Sequence, residues 1–401
     1  MKVLHVIPAI AARYGGPSIA VVQMCGALRA AGVSITLVAT DADGDNAIDV
    51  PLEVPTDVDG IETVVFRRQW SEAFKYSRPL ARWLGRHVAD YDVVHAHALL
   101  SHAPLAAARA CRRHGVPYVI RPLGTLDPWS LAQKPWRKRL LLACGGRRSL
   151  ALADAVHYTA AGEQRLVEAS FTTRRGFVAP IGIDSSMLAA PRLPDTERTR
   201  PPFVLALSRL HPVKALDRLI DAFAQAHRGD WQLVIAGTGD PDYEAALKDR
   251  AARSSARDHI AFSGWVGGDA KTRLLQTAAV LALPSHHENF GIGLAEALGC
   301  GTPVLLSPHV LVADEIAEAG AGWVCDNDVA SLAEALGHVF ADPGAREQKG
   351  RAARAFADRR TWPRIAASLV DVYESLARAR RGAPAPVGDR LSPPSLSGTD
   401  I

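Results

Sequence analysis

The sequence predicts an α/β protein built from two doubly wound, Rossmann-like domains. Three observations lead to this prediction. Short β-branched and aliphatic runs alternate with amphipathic stretches of helical period, which is typical of parallel sheets covered by helices. The alternation stops at a polar, proline-bearing segment and then starts again. The length of 401 residues suits two domains of ordinary size.

In the first half, the candidate strands are residues 3–7, 34–39, 63–66, 93–96, 118–120 and 155–158. In the second half they are residues 203–207, 232–236, 260–262, 280–283 and 304–307. Helical stretches lie between most of these strands. The stretch after Lys214 places Leu216, Leu219, Ile220 and Phe223 on one side, as a helix covering a sheet requires.

These patterns predict a first domain over residues 1–188, a linker over 189–202 and a second domain over 203–361. A last helix is expected over residues 362–380. No strand follows it, so we expect this helix to cross toward the first domain. Proline and serine dominate residues 381–401 without apolar periodicity, which predicts a disordered tail.

Composition excludes several classes of protein. Apolar residues make up 48% of the chain and charged residues 22%, which suits a globular protein, and no apolar run reaches the roughly 18 residues of a membrane-spanning helix. The formal charge of +4 does not indicate a nucleic-acid binder. The five cysteines lack the spacing of a zinc site and fit reduced thiols. The first predicted strand leaves no room for a signal peptide, so we expect a cytoplasmic protein.

Open α/β sheets bind ligands beyond the carboxyl ends of their strands, so the residues that follow strands are the candidates for function. Gly15 and Gly16 follow the first strand without the GxGxxG pattern of dinucleotide enzymes. They allow close backbone approach to an anion at a helix start, or form an ordinary turn. His97 follows another strand and is placed to project into a cleft; the alternative is a histidine packed at the strand end.

Two cations follow the first strand of the second half. Arg209 and Lys214 lie just before an amphipathic helix, where a guanidinium, an ammonium and the helix N-terminus would together favour a diphosphate. The alternative is a solvated surface pair.

The segment from residue 284 to residue 304 combines several signals. A strand ends at Pro284, a loop carries Glu288 and Asn289, and glycines at 291 and 293 precede a helix that carries Glu296. Backbone N–H groups at such a helix start hold phosphate or hydroxyl oxygens, and carboxylates suit the paired hydroxyls of a sugar.

Together these motifs resemble the retaining nucleotide-sugar glycosyltransferases of family 4, over nearly the whole chain from Lys2 to about Arg380. The resemblance implies the GT-B architecture, in which two Rossmann-like domains face each other across a cleft. Glu288 and Glu296 match the E-x7-E motif of that family.

The resemblance also implies roles for individual residues. Glu288 would contact the transferred sugar and Glu296 the nucleotide ribose, while Arg209 and Lys214 would hold the diphosphate. His97 would line the donor-sugar site, which makes His97, Arg209, Lys214 and Glu288 the expected catalytic set. The substrate-binding set comprises Gly15, Gly16, Asn289, Phe290, Gly291, Gly293, Leu294 and Glu296. Ala215 departs from the family, in which a glycine commonly follows the lysine.

Fixed cations on the leaving-group side lower the barrier to breaking a sugar–diphosphate bond, so we expect a metal-independent transferase. Asp41-Ala42-Asp43 resembles a metal-binding DxD, but it lies early in the first domain and is interpreted as a polar loop. The resemblance implies no cofactor, a GDP- or UDP-hexose donor, and a glycan or polyprenyl-linked saccharide acceptor of bacterial exopolysaccharide or lipopolysaccharide synthesis. Attack on the front face of the sugar would retain its configuration.

Residues 134–148 are basic and carry Trp136. This stretch could lie peripherally on the inner face of an anionic membrane, with its cations near the headgroups. The alternative is a helix with a wet basic face.

Two other functions remain open at this level. One is a GT-B epimerase or phosphorylase, and the other is an inactive GT-B scaffold. A scaffold would be expected to lack donor-site cations or carboxylates, whereas this chain retains Arg209, Lys214, Glu288 and Glu296.

Overall fold

The computed structural model describes residues 1–189, 193 and 201–382, so most of the predicted linker and almost all of the predicted tail lie outside the described residues. The chain divides into two compact units. Unit 1 contains Met1–Gly182 together with the segment that begins at Trp362, and unit 2 contains Ile183–Thr361. Each unit is built on its own largely or wholly parallel sheet, which confirms the predicted fold class.

The strands of unit 1 are β1 (Lys2–Ala9), β2 (Ser34–Thr40), β3 (Ala42–Asp43), β4 (Asn46–Ala47), β5 (Pro55–Val58), β6 (Ile61–Phe66), β7 (Val93–His97), β8 (Tyr118–Arg121), β9 (Ala155–Tyr158) and β10 (Gly176–Val178). The main sheet has the order β10-β9-β8-β7-β1-β2-β6-β5, and β3 pairs with β4 in a separate ribbon. Strand β5 runs antiparallel to β6 at the edge. The strand order reverses between β1 and β7, which is the point where open α/β sheets form a crevice for ligands.

The strands of unit 2 are β11 (Phe203–Leu207), β12 (Gln232–Ala236), β13 (Ile260–Gly264), β14 (Val280–Leu283), β15 (Val304–Leu306) and β16 (Gly322–Val324). They form a parallel sheet in the order β13-β12-β11-β14-β15-β16. Here the order reverses between β11 and β14. Unit 2 therefore has its own ligand crevice at the carboxyl ends of these two strands.

Helices connect the strands of both sheets. They are α1 (Gly16–Ala30), α2 (Arg78–His87), α3 (His102–His114), α4 (Pro128–Ala132), α5 (Pro135–Leu141), α6 (Arg147–Ala151), α7 (Ala161–Glu168), α8 (Ser185–Ala189), α9 (Leu216–Ala226), α10 (Pro241–Arg253), α11 (Gly268–Thr277), α12 (Ile292–Cys300), α13 (Ala313–Glu318), α14 (Val329–Ala341), α15 (Pro343–Asp358) and α16 (Trp362–Arg380). The predicted apolar stripe of α9, from Leu216 to Phe223, is buried against the sheet of unit 2.

The last helix of the described chain, α16, belongs to unit 1. It packs along α1, and the indole N–H of Trp362 donates to the Gln23 side chain at 3.2 Å. Farther along, Arg380 donates to the Tyr91 carbonyl at 2.9 Å. The chain therefore returns to unit 1 after completing unit 2.

The boundary between the units falls at Gly182, earlier than the predicted end of the first domain at residue 188. Residues after Gly182 already pack within unit 2, because Ile183 pairs with Thr361 and α8 lies against α12. Gly182 itself lies against the Trp362 ring. The polar segment predicted as a linker, residues 189–202, therefore indicated the boundary between the units only approximately.

A layer of four histidines lies within the core of unit 1. His5, His95, His97 and His157 come from β1, β7 and β9, and each is completely buried. In the sheet register His5 pairs with His95, and His97 pairs with Arg121, so these side chains share one face of the sheet.

Hydrogen bonds fix the protons on two of these rings. His157 Nε2 lies 2.6 Å from the Ala179 carbonyl, which can only accept, so Nε2 carries the proton. Neutral His157 then accepts at Nδ1 from His95 Nε2, 3.3 Å away. This leaves the other His95 nitrogen, Nδ1, to accept the Tyr373 hydroxyl proton at 2.7 Å. The result is a directed chain of hydrogen bonds from α16 through two neutral histidines.

Burial lowers the pKa of each of these histidines. The pKa of His5 falls to about 3, through desolvation first and the Arg121 charge second. Desolvation also holds the pKa values of His95, His97 and His157 well below 6.5. All four rings are therefore neutral in the folded protein at physiological pH.

A side chain at residue 182 should destabilise unit 1. A Cβ atom on Gly182 would lie 2.3 Å from the Trp362 ring, so we expect Gly182→Ala to lower the free energy of unfolding by about 1–3 kcal/mol. Gly26→Ala is the matched control, because Gly26 lies in α1 with no atom within 4 Å of such a Cβ and should gain up to about 1 kcal/mol from helix propensity. Urea unfolding measures both, and equal stability of the two variants would contradict the packing described.

The stability of unit 1 should fall as the pH falls. The folded pKa values of the four histidines lie below the unfolded value of about 6.5, so the unfolded chain binds more protons below that pH and the stabilisation is lost toward the folded pKa values. We expect a loss of about 1 kcal/mol per buried histidine between pH 7 and pH 5.5.

His157→Gln can keep the bond to Ala179 but removes one titrating ring, so its unfolding should take up about one proton fewer across this range. Urea midpoints measured across the pH range test this expectation. The same slope for the wild type and His157→Gln would refute the assignment.

Candidate functional site

The candidate site of unit 2 lies where its strand order reverses. Strands β11 and β14 are parallel neighbours, so the loops that follow them meet at one edge of the sheet. The loop after β11 carries Arg209 and Lys214, and the loop after β14 carries Glu288. A hydrogen bond of 2.8 Å from the His286 N–H to the Val213 carbonyl joins the two loops.

Lys214 and Glu288 form an ion pair across these loops, although they are 74 positions apart in the sequence. Their side chains are only 14% and 18% exposed, so the pair is shielded from solvent. The backbone of Glu288 is also held on both sides, because its N–H donates to His309 and its carbonyl accepts from Leu311. The sequence predicted both residues but not their contact.

Arg209 extends from the same edge of the sheet and is exposed. Among the residues that the structure describes, no carboxylate pairs with its guanidinium. The pKa of His211, which lies between them in the same loop, is lowered by burial first and then by the charges of Arg209 and Lys214. The edge therefore concentrates positive charge.

Two glycines that the sequence analysis did not identify support the Arg209 loop. A Cβ atom on Gly237 would lie 1.9 Å from the Ser208 carbonyl oxygen, and one on Gly239 would lie 1.9 Å from the Leu210 carbonyl oxygen. The loop after β12 thus packs backbone to backbone against the loop after β11. The sequence does contain a signal for these two glycines, because Gly237-Thr238-Gly239 directly follows a buried strand.

Ala215 stands at the position after the lysine where the family commonly has a glycine. Its backbone lies in the left-handed region, with φ 50° and ψ 38°, at the point where α9 begins. This conformation costs an alanine about 1–2 kcal/mol, whereas a glycine adopts it at almost no cost. The backbone shape that brings Lys214 to Glu288 is kept despite the different residue.

The start of α12 presents backbone to the same edge. Gly291 has a φ of 85°, which favours glycine, and no side chain caps the helix. A Cβ atom on Gly293 would lie 3.0 Å from the Leu207 carbonyl, so the helix start packs closely against the end of β11. Phe290 was expected to present its backbone to the sugar, and Leu294 to bind substrate. The side chains of both residues are buried in the core, so each offers only its backbone.

Asn289 precedes this helix start. Both polar atoms of its side-chain amide are buried and make no hydrogen bond within the described part of the chain. A buried amide without partners is costly, which singles out Asn289 as a group that a ligand or a small local shift would satisfy.

Glu296 lies on α12 and pairs with Lys271 of α11 at 2.5 Å. Burial raises the pKa of Glu296, and the Lys271 charge opposes that shift. Lys271 was missed in the sequence because it lies inside an ordinary helix with no motif around it. Its position beside a candidate ligand-binding carboxylate is a result of helix packing.

In unit 1, Gly15 and Gly16 follow β1 at the other reversal of strand order. Gly15 has a φ of 73° and nothing within 4 Å of where a Cβ would lie, so the backbone here is open. Tyr14 fastens this loop, because its hydroxyl donates to Glu72 at 2.5 Å and the Lys75 ammonium lies 4.2 Å from its ring centre.

The expectation that His97 projects into an open cleft is wrong for the described structure. Its ring is completely buried, and its Nε2 lies 3.1 Å from His5 Nδ1. The packed alternative holds because a histidine layer on the same sheet face surrounds the ring. A contact between His97 and a sugar stays a prediction.

The predicted polar loop at Asp41–Asp43 forms part of the β3–β4 ribbon. Asp41 accepts from the Arg68 backbone N–H at 2.6 Å, and the Asp43 carbonyl accepts from Arg13 at 2.9 Å. These local hydrogen bonds explain the polar character of the Asp41–Asp43 segment.

The basic stretch contains α5, which presents Trp136 and Leu140 to solvent at 64% and 55% exposure. Arg137 lies over the Trp136 ring. Arg121, which precedes this stretch at the end of β8, is instead completely buried. None of the described helices combines the length and apolar character needed to cross a bilayer.

Comparison with known proteins identifies the family of both halves. Residues 15–182 match the glycosyl transferase 4-like domain, and residues 194–356 match the glycosyl transferases group 1 family. The D-inositol 3-phosphate glycosyltransferase of Saccharomonospora viridis is 30% identical over 323 residues, which cover 73% of this chain and 72% of that protein.

Solved structures share the fold at lower identity. Sucrose-phosphate synthase from Thermosynechococcus elongatus aligns with a TM-score of 0.77 at 19% identity, covering 94% of this chain and 99% of that one. The Anabaena protein HepE, solved in complex with UDP and glucose, aligns with a TM-score of 0.74 at 20% identity, covering 94% of this chain and 100% of that one. The chain belongs to the glycosyltransferases with the GT-B fold.

Proposed function

We propose that this protein transfers a hexose from a nucleoside-diphosphate sugar to a saccharide acceptor, with retention of configuration at the transferred carbon. The observation that carries this proposal is the Lys214–Glu288 pair at the carboxyl edge of unit 2, with Arg209 in the same loop as Lys214. This edge offers positive charge for a diphosphate and a carboxylate for a sugar within one small region.

Arg209 and Lys214 hold the diphosphate of the donor. The N-terminus of α9 adds backbone N–H groups and the positive end of the helix dipole, since no side chain caps it. A bound phosphate would share Lys214 with Glu288, which keeps the ammonium fixed before the donor arrives. Such a fixed charge needs no reorganisation when negative charge develops on the leaving group.

Glu288 accepts hydrogen bonds from hydroxyls of the transferred sugar, and the backbone at Asn289–Gly291 surrounds the same hydroxyls. Glu296 accepts from the nucleotide ribose, and Lys271 holds its carboxylate in place. This division follows the E-x7-E assignment of the resembling family and agrees with the positions of both carboxylates on α12 and the loop before it.

During transfer, the bond between the anomeric carbon and the phosphate oxygen breaks as the acceptor oxygen bonds to the same face of that carbon. The departing phosphate takes the proton of the acceptor hydroxyl, so charge and atoms balance without an enzyme nucleophile. Lys214 and Arg209 offset the charge on the phosphates, and we propose that no metal ion is required. The pairing of Glu288 with Lys214 supports an electrostatic role for this carboxylate rather than attack on the sugar.

The donor base lies near the end of β13, where residues 262–266 form the FSGWV segment, and a GDP- or UDP-hexose is the proposed donor. The acceptor is proposed to be a glycan or polyprenyl-linked saccharide of bacterial exopolysaccharide or lipopolysaccharide synthesis.

We also propose peripheral contact with an anionic membrane through residues 134–148. Trp136 and Leu140 lie one helical turn apart on α5, so their exposed side chains form one apolar strip. Arg137 and Arg139 flank this strip and suit acidic headgroups.

Removal of the Lys214 charge should disable transfer. We expect Lys214→Ala to lower kcat by about 10²–10³-fold, because it loses electrostatic stabilisation of the leaving diphosphate. Glu288→Gln, which keeps the shape of the side chain but loses its charge, should lower kcat/KM to a similar extent. Release of the nucleoside diphosphate from UDP- or GDP-hexoses measures the rate.

Arg250→Ala is the matched control for this experiment, because Arg250 pairs with Asp221 on the surface of unit 2 and should keep wild-type turnover. The assays are run with and without EDTA, and the same rate in both is expected for a metal-independent enzyme. Near-normal turnover by purified, folded Lys214→Ala would remove the proposed role of the cations.

Membrane contact should depend on both the basic and the apolar residues of α5. We expect Arg137→Ala combined with Arg139→Ala to weaken binding to phosphatidylglycerol vesicles by about 2 kcal/mol, roughly 30-fold, and added salt to weaken it further. Trp136→Ala should also weaken binding. Trp70→Ala serves as its control, since Trp70 is 61% exposed outside this segment. The proposal fails if the wild type does not sediment with vesicles at low salt.

A further inference from the structure

Arg121 is the last residue of β8 and is completely buried in unit 1. Its Nε, Nη1 and Nη2 atoms are all shielded from solvent, and none has a hydrogen-bond acceptor among the residues that the structure describes. Burial lowers the pKa of its guanidinium to about 10, which leaves the group charged at neutral pH. A buried charge whose donors have no acceptor is unusual, because it loses hydration and gains nothing in return.

The carboxylate of Glu163 offsets this charge through space but does not bond to it. Its two oxygens instead accept the backbone N–H groups of Gly124, at 2.8 Å, and of Thr159, at 2.7 Å. Glu163 also lies in the first turn of α7, where the helix dipole favours a negative charge. The negative charge of Glu163 is therefore balanced locally, and the donors of Arg121 remain open.

The neighbouring His5–His97 pair is also incomplete. A hydrogen bond joins His5 Nδ1 to His97 Nε2, while His5 Nε2 and His97 Nδ1 are buried with no partner among the residues that the structure describes. Because both rings are neutral, one of these two open nitrogens carries a proton and the other carries a lone pair. When His5 Nδ1 donates to His97 Nε2, His97 Nδ1 carries the proton of that ring. This N–H is then available to an acceptor beside Arg121, because His97 pairs with Arg121 in the sheet register.

A metal ion is a less suitable occupant of this cluster. Nitrogens of His5, His95 and His97 lie within 4.8 Å of one another, as ligands of one ion would. However, His95 uses its lone pair to accept from Tyr373 and its proton to donate to His157, so it has no free lone pair. The positive charge of Arg121 also opposes a cation, since it already acts on all four histidines.

We propose that Arg121, together with the open nitrogen of the His5–His97 pair, forms a binding site for an oxyanion group, either a phosphate or a carboxylate. The planar guanidinium matches two oxygens of such a group, and a histidine N–H supplies a further donor. The site lies at the carboxyl ends of β7 and β8, beside the reversal of strand order in unit 1, which is the ligand edge of an open α/β sheet.

The group reaches Arg121 when the loop that follows β8 moves. Leu123 in this loop has a φ of 55°, a strained conformation for a branched residue, and Gly124 follows with a φ of 70°. Strained backbone of this kind is found at ligand-binding loops. The oxyanion could be a free ion or a group carried by an acceptor saccharide, and the chemistry of recognition is the same for both.

The proposal is tested by thermal unfolding of the full chain in sodium phosphate and in sodium chloride of equal ionic strength. Lys214→Ala serves as the background, because it removes a second place where phosphate could bind. We expect phosphate to raise the unfolding midpoint in this background, and the shift to be lost when Arg121→Met is added. Arg112→Met, in the same unit, is the control for loss of one positive charge and should keep the shift.

Arg121→Lys provides a second variant if Arg121→Met does not fold. It keeps the charge but loses the fork, so its phosphate shift should be smaller than that of the parent. Glucose 6-phosphate, compared with inorganic phosphate, distinguishes the source. A larger Arg121-dependent shift with the sugar phosphate identifies an acceptor group, and equal shifts identify a free ion.

Crystals of the full chain soaked in tungstate give an independent result. An anomalous peak within hydrogen-bond distance of the Arg121 guanidinium is expected. Water density at that position, with no tungstate peak, would overturn the proposal, as would a phosphate shift that Arg121→Met leaves unchanged. Neither result depends on transferase activity, so failure of this inference is distinguishable from failure of the proposed function.

Discussion

The parallel pairing of β11 with β14 is the constraint on which the candidate donor site depends. In a parallel sheet the carboxyl ends of neighbouring strands lie at one edge, and the reversal of strand order leaves that edge uncovered. Lys214 and Glu288 therefore meet although 74 positions separate them. Close backbone packing at Gly237, Gly239 and Gly293 keeps the loops near enough for this contact. A catalytic role for the pair remains a proposal, but its geometry follows directly from the sheet.

Unit 1 buries polar and charged side chains beside its own reversal of strand order. Four neutral histidines and Arg121 occupy the face of the sheet that would otherwise be filled by apolar side chains. Burial of an unpaired charge costs several kcal/mol even after relaxation, and breaking a buried pair costs about 3–5 kcal/mol. The proposed oxyanion site would offset this cost, and the remainder of this core is conventionally apolar. The chain from Tyr373 through His95 to His157 also links α16 to the sheet.

Several elements escaped prediction for identifiable reasons. Strands β10 and β16 are each three residues long and include a glycine, so they carry no alternating pattern. Lys271 sits in a helix without a motif, and its pairing with Glu296 arises from the packing of α11 against α12. His97 was predicted from its place at a strand end, which was correct, but the direction of its ring depended on His5, a residue 92 positions away.

The sequence by itself determined the fold class, the positions of most strands, the loops that carry Arg209, Lys214 and Glu288, and the helix that carries Glu296. It could do so because apolar periodicity and the residues that follow strands are local properties of the chain. Tertiary structure alone decided which of these side chains meet, which are exposed and which are buried. Leu294 and His97 became core residues, Lys214 joined Glu288, and Arg121 was enclosed with no hydrogen-bond acceptor in the described part of the chain. Burial and pairing depend on strands and helices that are distant in sequence.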